Sequence, residues 1–106
     1  MEHSIRDEGG AVIVSFEGDV DLEQSPRARE VLLECVERGS KILVDLSGVS
    51  YIDSSGVASL VEAFQVAKKL GKGFALVSVN VSALRVLQLA RLDKVFTIHE
   101  TLADAL

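Results

Sequence analysis

The strongest constraint on the fold is an alternation of short β-rich runs with amphipathic helical stretches. "KILVDLSGV" (Lys41–Val49) contains the uninterrupted apolar run Ile42-Leu43-Val44. Such a run suits a strand buried on both faces in the middle of a sheet. Soon after it, Val57, Leu60, Val61, Phe64, Ala67 and Leu70 recur at spacings of three and four. That is the stripe of a helix with one face on a core. The same alternation runs through the rest of the chain, so the pattern predicts helices packed against a mostly parallel sheet.

The remaining elements follow from turn and cap chemistry. A short strand is predicted near Ser4–Glu8, a tight turn at Gly9-Gly10, and a second strand at Ala11–Gly18, so the chain opens with a hairpin. "DVDLEQ" reads as an acidic loop. Ser25 then reads as an N-cap, with Pro26 at the first helical position. The helix that follows carries Ala28, Val31, Leu32 and Cys35 on one face and stops at Gly39. The second helix has Lys68 and Lys69 in its last turn, where they complement its dipole, and ends at Gly71. A strand at Gly73–Val79 leads to a third helix through about Ala90, capped by Asn80 or Ser82, with Leu84 and Leu87 facing the core. Lys94–Ile98 is the last strand. "TLADAL" closes with a short helix that starts near Glu100 or Thr101. The predicted order is β-β-α-β-α-β-α-β-α, an α/β domain with a mixed sheet of about five strands.

Size and charge narrow the function classes. The 106 residues fit one domain of the usual ~100–150, and residues 1–106 are read as one. A net charge of −5 disfavours nucleic acid and anionic membrane as partners. No apolar run approaches the ~20 residues of a membrane span. The segment "MEHSIRDEGG" lacks a basic stretch followed by an apolar one, so no signal peptide and a cytoplasmic location are expected. A monomer is the default expectation, because no element shows a surplus apolar face.

Enzymatic constellations are thin. The serines of "YIDSSGVASL" do not form a G-x-S-x-G elbow, and only His3 and His99 are available as histidine bases. Neither G-x-G-x-x-G nor G-x-x-x-x-G-K-[ST] occurs. Asp19 and Asp21 read as a solvated loop rather than a metal site, and Cys35 as a small core residue. No enzyme and no cofactor are expected.

The segment Asp53-Ser54-Ser55-Gly56 is different. Asp53 or Ser54 can cap the second helix. A cap alone does not explain two serines followed by a glycine that costs helix stability. A glycine here would let a partner approach the backbone and Ser54. A phosphate on Ser54 would sit at the positive end of the helix dipole.

"LVDLSGVSYIDSSGVASL" resembles the phosphorylation segment of the STAS-domain anti-sigma factor antagonists of bacteria. The "GDVD" loop, Gly18–Asp21, resembles the G-x-x-D element before the first helix in that family, and the order of elements matches along essentially the whole chain. The resemblance implies a phosphorylation switch at Ser54, with Ser55 as the lesser candidate. It implies a partner-binding surface of Asp19, Asp21, Asp53, Ser54, Ser55, Gly56 and Val57, with Asp21 beside Ser54 across the strand ends. The implied partner is an anti-sigma factor of the serine-kinase type, which supplies ATP and Mg²⁺ itself. The unphosphorylated form binds that partner and frees the sigma factor; a PP2C-type phosphatase resets the cycle. The alternative is a constitutive STAS docking subunit of a transport complex such as a lipid-transport ATPase. A third reading is an α/β enzyme or ligand-binding module.

Overall fold

The structure, a computed structural model, describes residues Met1–Leu106. Five strands and four helices alternate as expected: β1 (Glu2–Glu8), β2 (Ala11–Val20), α1 (Ser25–Arg38), β3 (Lys41–Ile52), α2 (Ser54–Lys69), β4 (Gly73–Val77), α3 (Val81–Leu89), β5 (Thr97–His99) and α4 (Leu102–Ala105). The strands form one sheet in the order β1-β2-β3-β4-β5. β1 runs antiparallel to β2, and every later pairing is parallel. The hairpin turn needs left-handed backbone at two successive residues, which Gly9 and Gly10 supply with φ of 58° and 84°.

β3 is the central strand, and Ile42, Leu43 and Val44 are all fully buried. Alternate side chains serve two cores. Ile42 and Val44 join Val12, Val14, Phe16 and Leu76 beneath α1, α2 and α3. Leu43 joins Ala11, Ile13, Ala75 and Val77 on the opposite face, where Leu102 and Ala105 of α4 cover them. Phe64, Phe74 and Phe96 close one end of the larger core, with ring centroids 5.4–6.3 Å apart.

Several boundaries differ from expectation. β2 extends to Val20, so Asp19 lies in a strand rather than in a loop. Ser25 is not the cap of α1: Gln24 holds that position, and no side chain caps the helix. The preceding turn is held by Asp21, whose Oδ1 accepts from the Gln24 N–H at 3.0 Å. Gly39 closes α1 in extended backbone, so its role is space: a Cβ there would lie 2.4 Å from Val12 Cγ2. On α2 the buried stripe is Gly56, Ser59, Leu60, Ala63 and Ala67, and Leu70 is exposed. The stripe is small because α2 packs closely on α1, where the Ser59 hydroxyl donates to the Ser25 carbonyl at 3.2 Å. β4 stops at Val77 because Ser78 turns to a φ of 52°. Lys94–Phe96 is not strand but a turn tied back to the Leu92 carbonyl, and the last strand is only Thr97–His99. Cys35 is fully buried as expected, and burial pushes its thiol up to about 11.

Asn80 does more than cap. Its Oδ1 accepts from the Ala83 N–H at 2.9 Å, while its Nδ2 donates to the carbonyls of Val49 (2.6 Å) and Leu46 (3.3 Å) in β3. Asn80→Ala is therefore expected to lose about 2 kcal/mol, a missing cap plus two abandoned carbonyls. Asn80→Ser keeps the cap alone and is expected to recover about half. Thermal unfolding of the two variants checks the split.

Candidate functional site

The site forms where β2 and β3 end together. Val20 pairs with Ile52, and the pairing is irregular just before, between Gly18 and Asp19. Such bulges re-aim strand ends. The Asp53 N–H then donates to the Val20 carbonyl at 3.4 Å, and α2 starts at the next residue.

Asp53 is the helix cap. Its Oδ1 accepts from the backbone N–H groups of Ser55 (3.0 Å) and Gly56 (3.1 Å) and from the Ser55 hydroxyl at 2.5 Å. Its Oδ2 accepts from the Leu22 N–H at 3.0 Å. One carboxylate thus fastens the β2–α1 loop to the start of α2. These bonds, that from the Ser55 hydroxyl foremost, hold the Asp53 carboxyl below the usual carboxylate range. A depressed folded pKa means stability present above the unfolded value of about 3.9 and lost as pH falls through the folded one. The melting temperature is expected to fall on acidification below about pH 4, and less steeply for Asp53→Asn than for wild type. Equal slopes in acid melts of the two proteins would count against the assignment.

The two serines have different environments. Ser55 is half-buried, and its hydroxyl is committed to Asp53. Ser54 is the first residue of α2 and exposed, with its hydroxyl outside the bonds that hold its neighbours. Gly56 is buried against β2 rather than open to a partner: a Cβ there would lie 2.4 Å from the Val20 carbonyl oxygen and 2.8 Å from Ile52 Cγ1. Val57 is also buried.

Asp21 is half-buried in the loop that Asp53 anchors, with Oδ1 turned to Gln24. The fold therefore brings Asp21 and Asp53 to the same strand ends. Asp19 is exposed beside Val20, whose side chain enters the core, so alternation turns Asp19 the other way. It is not part of the bonded cluster around Ser54. Periodicity gave no sign of Leu22 and Tyr51, two apolar side chains 74% and 54% exposed beside this site. Leu22 lies in the loop between β2 and α1, and Tyr51 lies in the part of β3 beyond Val49, where the strand was expected to end. Nor is the surface free of surplus apolar area, as the sequence suggested: Val81 and Leu89 of α3 are also largely exposed. Between α2 and α3 lies an apolar groove of about 430 Å³, with Ser54 at one end.

The family model for the STAS domain matches residues 3–105. This chain belongs to the STAS domain family. Among curated STAS relatives, it is 29% identical over 85 residues to the anti-sigma-B factor antagonist of Bacillus subtilis, covering 80% of this chain and 78% of that protein. It is 29% identical over 106 residues to the anti-sigma-F factor antagonist RsfB of Mycobacterium tuberculosis, covering 97% and 84%. A crystal structure of an anti-sigma factor antagonist from Mycobacterium paratuberculosis superposes with a TM-score of 0.90 at 28% identity, covering 98% of this chain and 89% of that one. Bacillus SpoIIAA shares the fold in its unphosphorylated form, with a TM-score of 0.82 at 17% identity over 98% of this chain and 92% of that one. Its phosphorylated form does so with a TM-score of 0.75 at 16% identity over 98% and 96%. So does a sulfate transporter family protein from Wolinella succinogenes, with a TM-score of 0.79 at 18% identity over 93% and 84%. The STAS fold thus serves both regulators and transporters. No helix of this STAS domain is long and apolar enough to cross a membrane.

Proposed function

We propose that this chain is an anti-sigma factor antagonist whose partner binding is switched by phosphorylation of Ser54. The observation that carries the choice of residue is the unequal setting of the two serines: Ser54 is exposed, whereas Ser55 is bonded into the Asp53 cap. The names of the curated relatives support the antagonist class. The partner is an anti-sigma factor that is also a serine kinase. It transfers the γ-phosphoryl of its own Mg²⁺-bound ATP to Ser54 Oγ, with loss of the hydroxyl proton and release of ADP. A PP2C-type phosphatase returns the serine and inorganic phosphate by hydrolysis.

A phosphate adds about −1.5 to −2 charges. It would join Asp53 and Asp21 at the strand ends, on a surface that the unmodified protein presents as a neutral hydroxyl beside exposed Leu22 and Tyr51. Burying a hydrated dianion there opposes binding without any change of shape. The test is a phosphosite map of the chain isolated from its own cells, growing and stressed. Phosphate on Ser54 with condition-dependent occupancy is expected. Full coverage of the peptide without phosphate in any condition would favour the constitutive docking subunit of a transport complex, the reading that the shared fold with a sulfate transporter protein keeps open.

A further inference from the structure

We propose that the groove between α2 and α3 seats an amphipathic helix of the anti-sigma factor, with aliphatic side chains in the groove and an acidic side chain over Lys69. The inference rests on the antagonist reading above and adds the form and chemistry of the docking element.

The groove is built from side chains of α2, of α3 and of the turn that follows α3. Val57, Ala58 and Val61 form one wall, and Val86, Ala90 and Leu92 of α3 and the turn after it form the other. From Ser54 to Gln65 it follows α2 over 12 residues, about 16 Å at a rise of 1.5 Å for each step. Val86 also lines a second hollow with Tyr51, Val81 and Leu89, so apolar surface continues across α3, with the exposed Arg85 beside it. Contiguous exposed apolar surface of this kind marks an interaction site.

The walls decide the form of the occupant. Helix backbones bond internally, and in the turn after α3 the Ala90 and Leu92 N–H groups donate to the Val86 and Leu87 carbonyls while the Leu92 carbonyl accepts from Val95 and Phe96, so the walls offer little free backbone. An extended segment laid in the groove would bury its own backbone groups without partners. A helix brings them already satisfied.

Charge decides its polarity. Glu62 on the rim is held by Arg29 at 2.6 and 3.0 Å, which cancels its charge locally. Beyond it, Lys69 lines the adjoining hollow with Gln65 and takes part in no ion pair. At the opposite end Asp53 already supplies negative charge beside Ser54. The complementary helix carries Asp or Glu where it passes Lys69 and no carboxylate at the Ser54 end. A phosphate on Ser54 then confronts the neutral end of that helix at the mouth of the groove.

The test measures binding of the full chain to each anti-sigma factor encoded in the same genome. Ala58→Arg and Ala90→Arg add bulk and charge at exposed wall positions and are expected to weaken binding about 30-fold, as central contacts do. Lys69→Glu is expected to weaken it about fivefold, as a rim charge does. Glu34→Arg, on exposed α1 surface, is expected to change nothing. A photocrosslinker at Gln65 is expected to label residues of the partner spaced three and four apart. Unchanged binding by both arginine variants, with Ser54→Asp still weakened, overturns the groove and leaves the switch standing. A crosslink to an extended segment, or to a second copy of this chain, overturns the occupant. No binding by wild type to any anti-sigma factor overturns the antagonist reading as well.

Discussion

Phosphorylated at Ser54, the chain is expected to bind its anti-sigma factor about 100- to 1,000-fold more weakly than the unmodified protein, while its melting temperature stays within a few degrees. The binding loss corresponds to roughly 3–4 kcal/mol, a reasonable magnitude for juxtaposing and desolvating like charges in an interface. The fold is spared for a local reason. Ser54 is the first residue of α2 and exposed, and a negative group at a helix N-terminus is favourable by about 0.3–1 kcal/mol. Ser54→Asp carries less charge and is shorter, so a smaller loss of about tenfold is expected from it. Ser54→Ala should bind as wild type does and resist the kinase. Ser55→Ala should keep phosphorylation at Ser54 but lower the melting temperature, because its hydroxyl is part of the Asp53 cap. Calorimetric titration with phosphorylated and unmodified chain decides the matter. Equal affinity would remove the switch.

Gly56→Ala is expected to cost about 2 kcal/mol, net of the ~1 kcal/mol that alanine returns in helix propensity. For a domain of this size, that is a fall of about 8–16 °C in melting temperature. The added Cβ would lie 2.4 Å from the Val20 carbonyl oxygen, and that oxygen is also the acceptor for the Asp53 N–H. Neither backbone can retreat without opening the junction of β2, β3 and α2. Ala58→Ser, two residues on but exposed, serves as the control and should melt as wild type does. If Gly56→Ala melted as wild type while losing partner binding, the glycine would be an interface residue, and the packing account would be wrong. The expected result also separates two explanations for one residue. Gly56 reads in the sequence as clearance for a partner, whereas the fold uses it as clearance for its own second strand.

Local rules carried much of this protein. Ile42-Leu43-Val44 can be accommodated only between two covered faces, and it became the fully buried first part of β3, the central strand. Gly9-Gly10 required a tight turn, and helix starts were expected at Asp53 or Ser54 and at Asn80 or Ser82; the turn formed, and the fold chose Asp53 and Asn80 as the caps. The resemblance drawn from Asp53-Ser54-Ser55-Gly56 named the family that the domain match then showed. Tertiary packing decided the rest. A residue's partners across the sheet or between helices leave no trace in its own period. So Ser59, polar by type, is buried against α1, while Leu70, apolar and on the predicted stripe, faces solvent. Asp53 reaches the Leu22 N–H, and so holds the loop that carries Asp21, only because two parallel strands end at the same level. The resemblance put Ser54 ahead of Ser55, but the physical difference between the two hydroxyls was beyond the sequence. What the fold adds in support of the proposed site is that the Asp53 cap consumes the Ser55 hydroxyl and leaves Ser54 exposed.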